Sequence, residues 1–475
     1  MEHSIAMNKH FRQLKENRTA ILMGILRLVI YGVLGLLFFG LMAINNWQLR
    51  HMSRTLATTL LTYLAMSAAM HAVYGGYAVG KKKSKPIISS MSLATLVTDV
   101  VTYLQLQIMN VNDNNNDYLM LFGGDFPWLL VCMVLQVLLI TYWVRFGNNF
   151  YFTINPPRKC VVVLGSRDEE DAVCRKIRRY ALQWEIRRVV MWNDPKLLRY
   201  VRQAEVVFLG NLPQDSKMSL LRTCYEEHRD VMCKAQLQDI MLSNATLMVV
   251  DDAPFLEMDY GKITLGQRIL KRLMDIVVSL TVLVLLAPVY GVIAACVHAE
   301  DGGPVLFRQK RMTVGGKEFR ICKFRTMKEN ASLEPHQSSV TVDDPRITRV
   351  GKTLRRFRLD ELPQFWNILK GDMALVGPRP EMLENVKKYK LELPAFAYRE
   401  KMKAGLTGYA QIEGRYNTTP EDKLMLDLMY IESFSLWLDI KLLFRTPMVL
   451  FKSDSTQGFE QQENHPDSHQ SDISA

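Results

Sequence analysis

Asp360 and Glu361 stand side by side, just after a basic run holding Arg355, Arg356 and Arg358 and just before Pro363. A carboxylate beside several cations suits a centre where an anionic group is attacked or transferred. Arginines such as Arg355 neutralise diphosphate charge, and the carboxylate can contact a divalent cation or attack phosphorus itself. Pro363 fits the first turn of a helix and Gly371 a stop, which predicts a helix from about Glu361 to Lys370. Asp360 would then sit at its N-terminus, where backbone donors and the dipole favour negative charge. Neighbouring side chains on a helix point about a quarter-turn apart, so Asp360 and Glu361 need not share a role. On composition alone, an ordinary charged helix start is the stronger reading.

The elements that must hold this stretch come from a chain of 475 residues, long enough for two or three domains. A net charge of +11 favours anionic partners: nucleic acid, phospholipid head groups or phosphorylated substrates. The cysteines at 132, 160, 174, 224, 233, 296 and 322 show no C-x-x-C spacing. That pattern suits neither a zinc site nor a disulfide framework and fits a reducing cytoplasm. The scattered histidines show no metal-ligand spacing, and Met1 to Ala20 carries no removable signal peptide.

Residues 1–150 read as four transmembrane helices: Ala20 to Ile44, Thr55 to Gly80, Pro86 to Met109 and Pro127 to Trp143. The third is the weakest, because Asp99 and several Ser, Thr and Gln residues interrupt it. Arg12, Lys15 and Arg18 precede the first span, and Lys81, Lys82, Lys83 and Lys85 separate the second from the third. The positive-inside rule therefore places the N-terminus, the Lys81 loop and the region after Trp143 in the cytoplasm, with Arg50 and Arg54 as a minor dissent. Arg27, His71 and Asp99 within spans raise a transport path as an alternative.

Residues 158–255 alternate short apolar runs with helical patterns: Cys160 to Gly165, Arg188 to Trp192, Glu205 to Gly210 and Thr246 to Val250. This predicts a small cytoplasmic α/β, Rossmann-like unit with a parallel sheet. Gly165 is followed by Ser166-Arg167-Asp168 and no G-x-G-x-x-G, so a regulatory or oligomerising role is preferred to nucleotide binding.

Ile276 to Val297 is apolar and long enough to span, yet residues 301–380 hold sixteen Lys or Arg against nine Asp or Glu. That basic excess fits the cytoplasmic side. Pro288 inside the segment removes a hydrogen bond and kinks it, so a re-entrant helix that enters and leaves on one face is expected, with a fifth span as the alternative. Val305 to Arg311 and Phe319 to Met327 read as strands joined by the Gly315-Gly316 turn. Leu436 to Phe451 reads as an amphipathic helix on the membrane, with a core helix nearly as favoured. Residues 453–475 read as a disordered tail.

From about Lys271 to Phe451 the chain resembles the bacterial sugar transferase family, the monotopic polyprenyl-phosphate hexose-1-phosphate transferases. The resemblance rests on a dense, ordered series. Lys271-Arg272 and Asp275 are followed by Ala287-Pro288, Asp301-Gly302-Gly303-Pro304 and Lys323-Phe324-Arg325-Thr326-Met327. Asp344-Pro345-Arg346-Ile347-Thr348 and Leu359-Asp360-Glu361-Leu362-Pro363-Gln364 come next. Gly371-Asp372-Met373, Val376-Gly377-Pro378-Arg379-Pro380, Gly405-Leu406-Thr407-Gly408 and Gly414-Arg415 close it.

The resemblance implies transfer of a sugar-1-phosphate from a UDP-sugar to undecaprenyl (polyprenyl) phosphate, with release of UMP, an aspartyl phosphosugar intermediate and a need for Mg²⁺. It makes Asp360 the nucleophile and Mg²⁺ contact, Glu361 its dyad partner, Arg355 a phosphate contact and Pro288 the kink of the re-entrant anchor. Lys323, Arg325 and Arg379, the last within Pro378-Arg379-Pro380, would support phosphate or nucleotide binding. The fold implied is a membrane α-helical bundle, an α/β cytoplasmic unit and, at residues 265–452, an α+β monotopic catalytic domain with a re-entrant helix. Location at the bacterial inner membrane, a catalytic domain facing the cytoplasm, contact with membrane lipids and a first step in exopolysaccharide, capsule or O-antigen synthesis follow. Nucleic acid is not an expected partner, and a homodimer is left open. The alternative is a membrane scaffold of polysaccharide assembly without chemistry. Two positions depart from the family: Arg358 replaces a small hydroxyl residue found in many members, and Ala404 stands before Gly405 where proline is usual.

Overall fold

The computed structural model describes residues 2–80, 82–113, 121–258, 263–328, 346–414 and 418–450; Asp344, Pro345, Arg415 and the tail from 453 lie outside them. The chain divides into two compact units, Met1–Ala235 and Gln236–Ala475.

The first unit opens with four long helices: α1 (Glu2–Met42), α2 (Arg54–Tyr74), α3 (Ser84–Asp113) and α4 (Phe126–Ile154). Each contains a stretch long and apolar enough to cross a bilayer. The polar third segment has a structural reason. Half of its membrane-length window is buried, against 17–28% for the other three, so its polar residues face inward and not toward lipid. Asp99, Thr95, Thr98 and Thr102 are buried, and Gln136 of α4 donates to Asp99 at 3.5 Å. The three ionisable residues meet different partners. Arg27 donates to the Tyr77 carbonyl at 3.1 Å, His71 bonds the Ser67 carbonyl at 2.7 Å, and Asp99 meets Gln136.

Next comes a parallel α/β sheet. Its strands are β1 (Arg158–Leu164), β2 (Trp184–Met191), β3 (Val206–Leu209) and β4 (Asp230–Cys233), in the order β2-β1-β3-β4. The intervening helices are α5 (Glu170–Arg178), α6 (Leu197–Gln203) and α7 (Gln214–Glu226). Central β1 buries Val161 and Val163 on one face and Cys160, Val162 and Leu164 on the other, hence its unbroken apolar run. The crevice where strand order reverses, between the ends of β1 and β3, is the usual ligand position in such sheets. Here Glu169 enters it and accepts a hydrogen bond from Asn211 N at 3.1 Å. A carboxylate already on the backbone donor leaves poor terms for a phosphate there.

The run Thr246 to Val250 corrects the sequence reading. The fourth parallel strand is β4, and Thr246–Val250 is β5, which follows α8 (Leu237–Leu242) and pairs antiparallel with β6 (Ala253–Glu257). The reason is the connection. Asp251 and Asp252 make a two-residue turn with Asp251 at φ 60, so the chain reverses where a parallel strand would need a long crossover.

The second unit continues with a bent helix pair, α9 (Leu265–Leu285) and α10 (Ala287–Asp301), turning by 63° at Leu286. Pro288 occupies the first turn of α10, where its missing N–H is harmless. Strands β7 (Leu306–Met312) and β8 (Glu318–Phe324) form an antiparallel hairpin. Then follow α11 (Arg349–Arg356), α12 (Gln364–Lys370), β9 (Ala374–Val376), α13 (Leu383–Glu392), β10 (Gly405–Thr407), α14 (Tyr409–Glu413), α15 (Pro420–Glu432) and α16 (Leu436–Leu450). Parallel β9 and β10 lie at the centre of an apolar core with Ile368, Phe396, Leu428 and Leu442. They approach so closely that a Cβ on Gly405 would lie 2.1 Å from Gly377 N. Helix α16 buries Asp439 and Leu442 while Trp437 is exposed.

Buried polar groups tie α9 to this core. Lys271 donates to the Val376 carbonyl at 2.9 Å and pairs with Asp439, which also accepts from the Tyr430 hydroxyl at 2.7 Å. Lys271→Met leaves Asp439 a buried charge without its cation, a change that costs about 3–5 kcal/mol in comparable pairs. A lower thermal-unfolding midpoint is expected, largely recovered when Asp439→Leu is added. An unchanged midpoint in the single variant would refute the assignment.

Candidate active site

Helix α11 is held at its start by two caps. The Thr348 hydroxyl accepts from Gly351 N at 2.9 Å, and the Glu300 carboxylate accepts from Arg349 N at 2.6 Å and Val350 N at 3.2 Å. Arg355, near its end, donates through Nε to the Thr326 hydroxyl at 2.8 Å. The chain then reverses at Arg358, which adopts the left-handed conformation (φ 54, ψ 24). A side chain there strains the backbone by roughly 1–2 kcal/mol. A single 3-10 turn, Leu359–Glu361, follows before α12 begins at Gln364.

Asp360 therefore lies in a tight turn ahead of the helix and not on its N-terminus, contrary to the sequence expectation. The left-handed residue sets this local geometry. Glu361 N donates to the Arg358 carbonyl and Leu362 N to the Leu359 carbonyl, both at 3.3 Å, which is i to i+3 bonding. Side-chain cations, rather than a helix dipole, set the electrostatics of the pair.

Lys323 from β8 reaches Glu361 at 2.8 Å, and Arg379 approaches the same oxygen at 3.5 Å. Burial alone would raise the Glu361 carboxyl, but the charges of Lys323 and Arg379 overcome it and hold the group at about 2. Asp360 goes the other way. Burial raises its carboxyl and the Glu361 charge adds to that, against Lys323 and Arg355. Among the described residues its carboxylate makes no ion pair. Two adjacent carboxylates are thus divided, one locked to cations and one available, the pattern expected when two acids serve different roles.

The other sequence candidates fall into two groups. Lys323, Arg355 and Arg379 surround the pair. Pro378 and Pro380 are buried on either side of exposed Arg379, and their carbonyls accept from Gly405 N at 2.9 Å and from Arg311 at 3.4 Å. They fix the backbone that carries Arg379. Arg325, expected at phosphate, is buried and held in a two-pronged ion pair by Asp301 at the end of α10. It fastens the helix and does not point to a ligand.

Two contacts were not legible as site features. Arg272 donates to the Ile368 and Leu369 carbonyls at 2.7 and 2.6 Å, closing the C-terminus of α12. Tyr290, on α10, donates to the Leu362 carbonyl at 2.7 Å, one residue beyond Glu361, with its ring against Phe324. Nothing in the spacing marks Tyr290, whereas Arg272 stood in a quoted motif without a partner to explain it.

Among the described residues no group of three or more His, Cys, Asp or Glu is arranged to chelate a metal. Mg²⁺ does not require one, since one or two carboxylates with substrate phosphates commonly hold it. The available Asp360 oxygens fit that mode, and the ring of cations suits an anionic substrate.

Residues 266–453 match the family described as Bacterial sugar transferase. A UDP-N-acetylgalactosamine-undecaprenyl-phosphate N-acetylgalactosaminephosphotransferase of Aeromonas hydrophila is 42% identical over 181 residues, covering 37% of this chain and 42% of that protein. A UDP-glucose:undecaprenyl-phosphate glucose-1-phosphate transferase of Escherichia coli is 43% identical over 186 residues, covering 38% and 39%. The matches thus span about two fifths of these relatives' own length. A protein of the latter description from Caulobacter vibrioides is 40% identical over 192 residues, which cover 39% of this chain and 71% of its own length. The chain belongs to the bacterial sugar transferase family.

Proposed function

We propose that the protein transfers a sugar-1-phosphate from a UDP-sugar to undecaprenyl phosphate and releases UMP, as an initiating membrane step of polysaccharide synthesis. The observation that carries this reading is the division of the dyad: Glu361 is committed to Lys323 and Arg379, while Asp360 keeps an unpaired carboxylate among cations. An Asp360 oxygen attacks the phosphorus bearing the sugar. The bond from that phosphorus to the bridging oxygen breaks, and UMP leaves with the electron pair. A phosphate oxygen of undecaprenyl phosphate then attacks the same phosphorus, forming the lipid diphosphate and freeing Asp360. Lys323, Arg355 and Arg379 offset the negative charge that both displacements gather. Mg²⁺, held by Asp360 and substrate oxygens, would neutralise diphosphate charge as a Lewis acid.

A re-entrant anchor is supported by the contacts at its two ends. Arg272 on α9 bonds the last carbonyls of α12, and Tyr290 on α10 bonds the carbonyl just before that helix. Glu300 and Asp301, at the far end of α10, hold the start of α11 and Arg325. Both ends of the bent pair thus reach one body, which supports their lying on one side of a bilayer. The apolar arm Ile276 to Leu285 is about 15 Å long, roughly half of a 30 Å hydrocarbon core. Exposed Phe357 and Trp366 near the dyad suit the lipid interface, and the basic excess of residues 301–380 favours the cytoplasmic side. The domain division carried forward is residues 1–150, 158–255 and 265–452.

Asp360→Ala is expected to reduce UMP release by at least about a thousandfold, assayed against a panel of UDP-sugars with undecaprenyl phosphate and Mg²⁺. Full activity in that variant would sink the mechanism. Glu361→Gln keeps the nucleophile but weakens its ionic frame, so a smaller loss of about 10–100-fold is expected. Topology has its own test. A single cysteine at exposed position 317, in the β7-β8 turn, should react with an impermeant maleimide only in inverted vesicles, as should one at position 18. Opposite accessibilities would make the bent pair a fifth span.

A further inference from the structure

Every cation around the dyad described so far has a partner: Lys323 and Arg379 meet Glu361, Arg355 meets Thr326, and Arg325 meets Asp301. Arg358 is different. It is half-buried, two residues before Asp360, and among the described residues its side chain makes no hydrogen bond or ion pair. Its backbone is nonetheless well determined. Arg358 N donates to the Arg355 carbonyl at 3.2 Å, and its own carbonyl accepts from Glu361 N at 3.3 Å. The residue is thus rigidly placed at the turn that presents both carboxylates, while its guanidinium is left open.

The conformation sharpens the point. Arg358 has φ 54, a region where glycine is unstrained and a long side chain is not. Only two other described non-glycine residues, His228 and Asp251, share a positive φ. No hydrogen bond or ion pair among the described residues holds the half-buried head group in place. Glu361 and Asp360 attract Arg358 from a distance, but neither is within ion-pair range, and Glu361 is already met directly by Lys323 and Arg379. Strain of this kind persists only where the surrounding structure over-determines it, and it clusters at active sites and ligand clamps.

We propose that Arg358 is a substrate-binding residue whose guanidinium receives a phosphate oxyanion beside Asp360 as substrate enters. A planar guanidinium can take two oxygens of one phosphate at once, which fixes orientation as well as charge. The oxyanion belongs either to the diphosphate of the UDP-sugar or to the head group of undecaprenyl phosphate. This inference rests on the reaction proposed above. It adds a contact carried by an arginine at a position where many family members have a small hydroxyl residue, and so makes the binding step particular to this chain.

The test compares Arg358→Gly, which removes the charge and relieves the backbone, with Arg358→Gln, which removes the charge and keeps the strain, and Arg358→Lys. Both neutral variants are expected to lose about 10–100-fold in kcat/KM, the effect of one charged hydrogen bond. Arg358→Lys should recover part of it. The Gly variant should unfold at or above the wild-type midpoint, so that activity falls while stability does not; a purely structural role would move both together. A raised KM for the UDP-sugar alone assigns the donor diphosphate, and a raised KM for undecaprenyl phosphate alone assigns the acceptor. Wild-type kinetics for both substrates in the Gly and Gln variants would overturn the proposal.

Binding is read separately, as the shift in unfolding midpoint that UDP or undecaprenyl phosphate gives wild type and should give Arg358→Gln only weakly. If Asp360→Ala remains active while those shifts still depend on Arg358, the nucleophile assignment fails and the anion contact stands. If Asp360→Ala is inactive while the shifts and kinetics ignore Arg358, the reverse holds.

Discussion

One short helix, α12, carries the constraint on which the catalytic unit depends. Its seven residues are gripped from both ends by the bent pair, through Arg272 at the last carbonyls and Tyr290 just before the first turn. The turn bearing Asp360 and Glu361 leads directly into it. An apolar bent helix pair and the turn bearing the two carboxylates thus share a mechanical part. The end of α10 adds two more points, the Glu300 cap on α11 and the Asp301 pair with Arg325.

Electrostatics then differentiate residues that look alike. Two carboxylates one position apart are pushed in opposite directions, because Lys323 and Arg379 converge on Glu361 and leave Asp360 unpaired. Four arginines that share a charge likewise divide by geometry. Arg325 serves as a strut, Arg355 braces β8's exit at Thr326, Arg379 joins the ionic frame and Arg358 stays open. Burying a charge is tolerable when a partner comes with it, so each committed pair is also a statement of where each element must lie.

Much of this was legible in residue order. The four long apolar helices and the bend at Pro288 were readable, because hydrophobic length and proline chemistry act locally. Sequence failed where the outcome depended on which backbone met which side chain. Thr246 to Val250 has the apolar look of a parallel strand, and the two-aspartate turn after it decides otherwise. Pro363 promises a helix start one turn too early, because the left-handed Arg358 inserts a 3-10 turn first. The third membrane helix looked weak from average polarity, although its polar residues are those that face the bundle interior. Arg325 was read as a ligand contact because a buried strut and a free cation are identical on the page.

Apart from the Lys271–Asp439 and Asp301–Arg325 pairs and the Lys271–Tyr430 contact, the polar bonds between the bent pair and the body share one property. Arg272 reads the carbonyls of Ile368 and Leu369, Lys271 that of Val376, Tyr290 that of Leu362, and Asp275 and Glu300 take the amides of Leu375, Arg349 and Val350. In each, a side chain from the helix pair meets main chain in the body. Main chain persists whatever side chain it bears, so mutational tolerance should be lopsided: free to drift at the receiving positions within the limits of core packing, and narrow at Lys271, Arg272, Asp275, Tyr290 and Glu300. Descendants of this chain could reshape the body around a new sugar while the anchor's handful of polar residues stays unchanged.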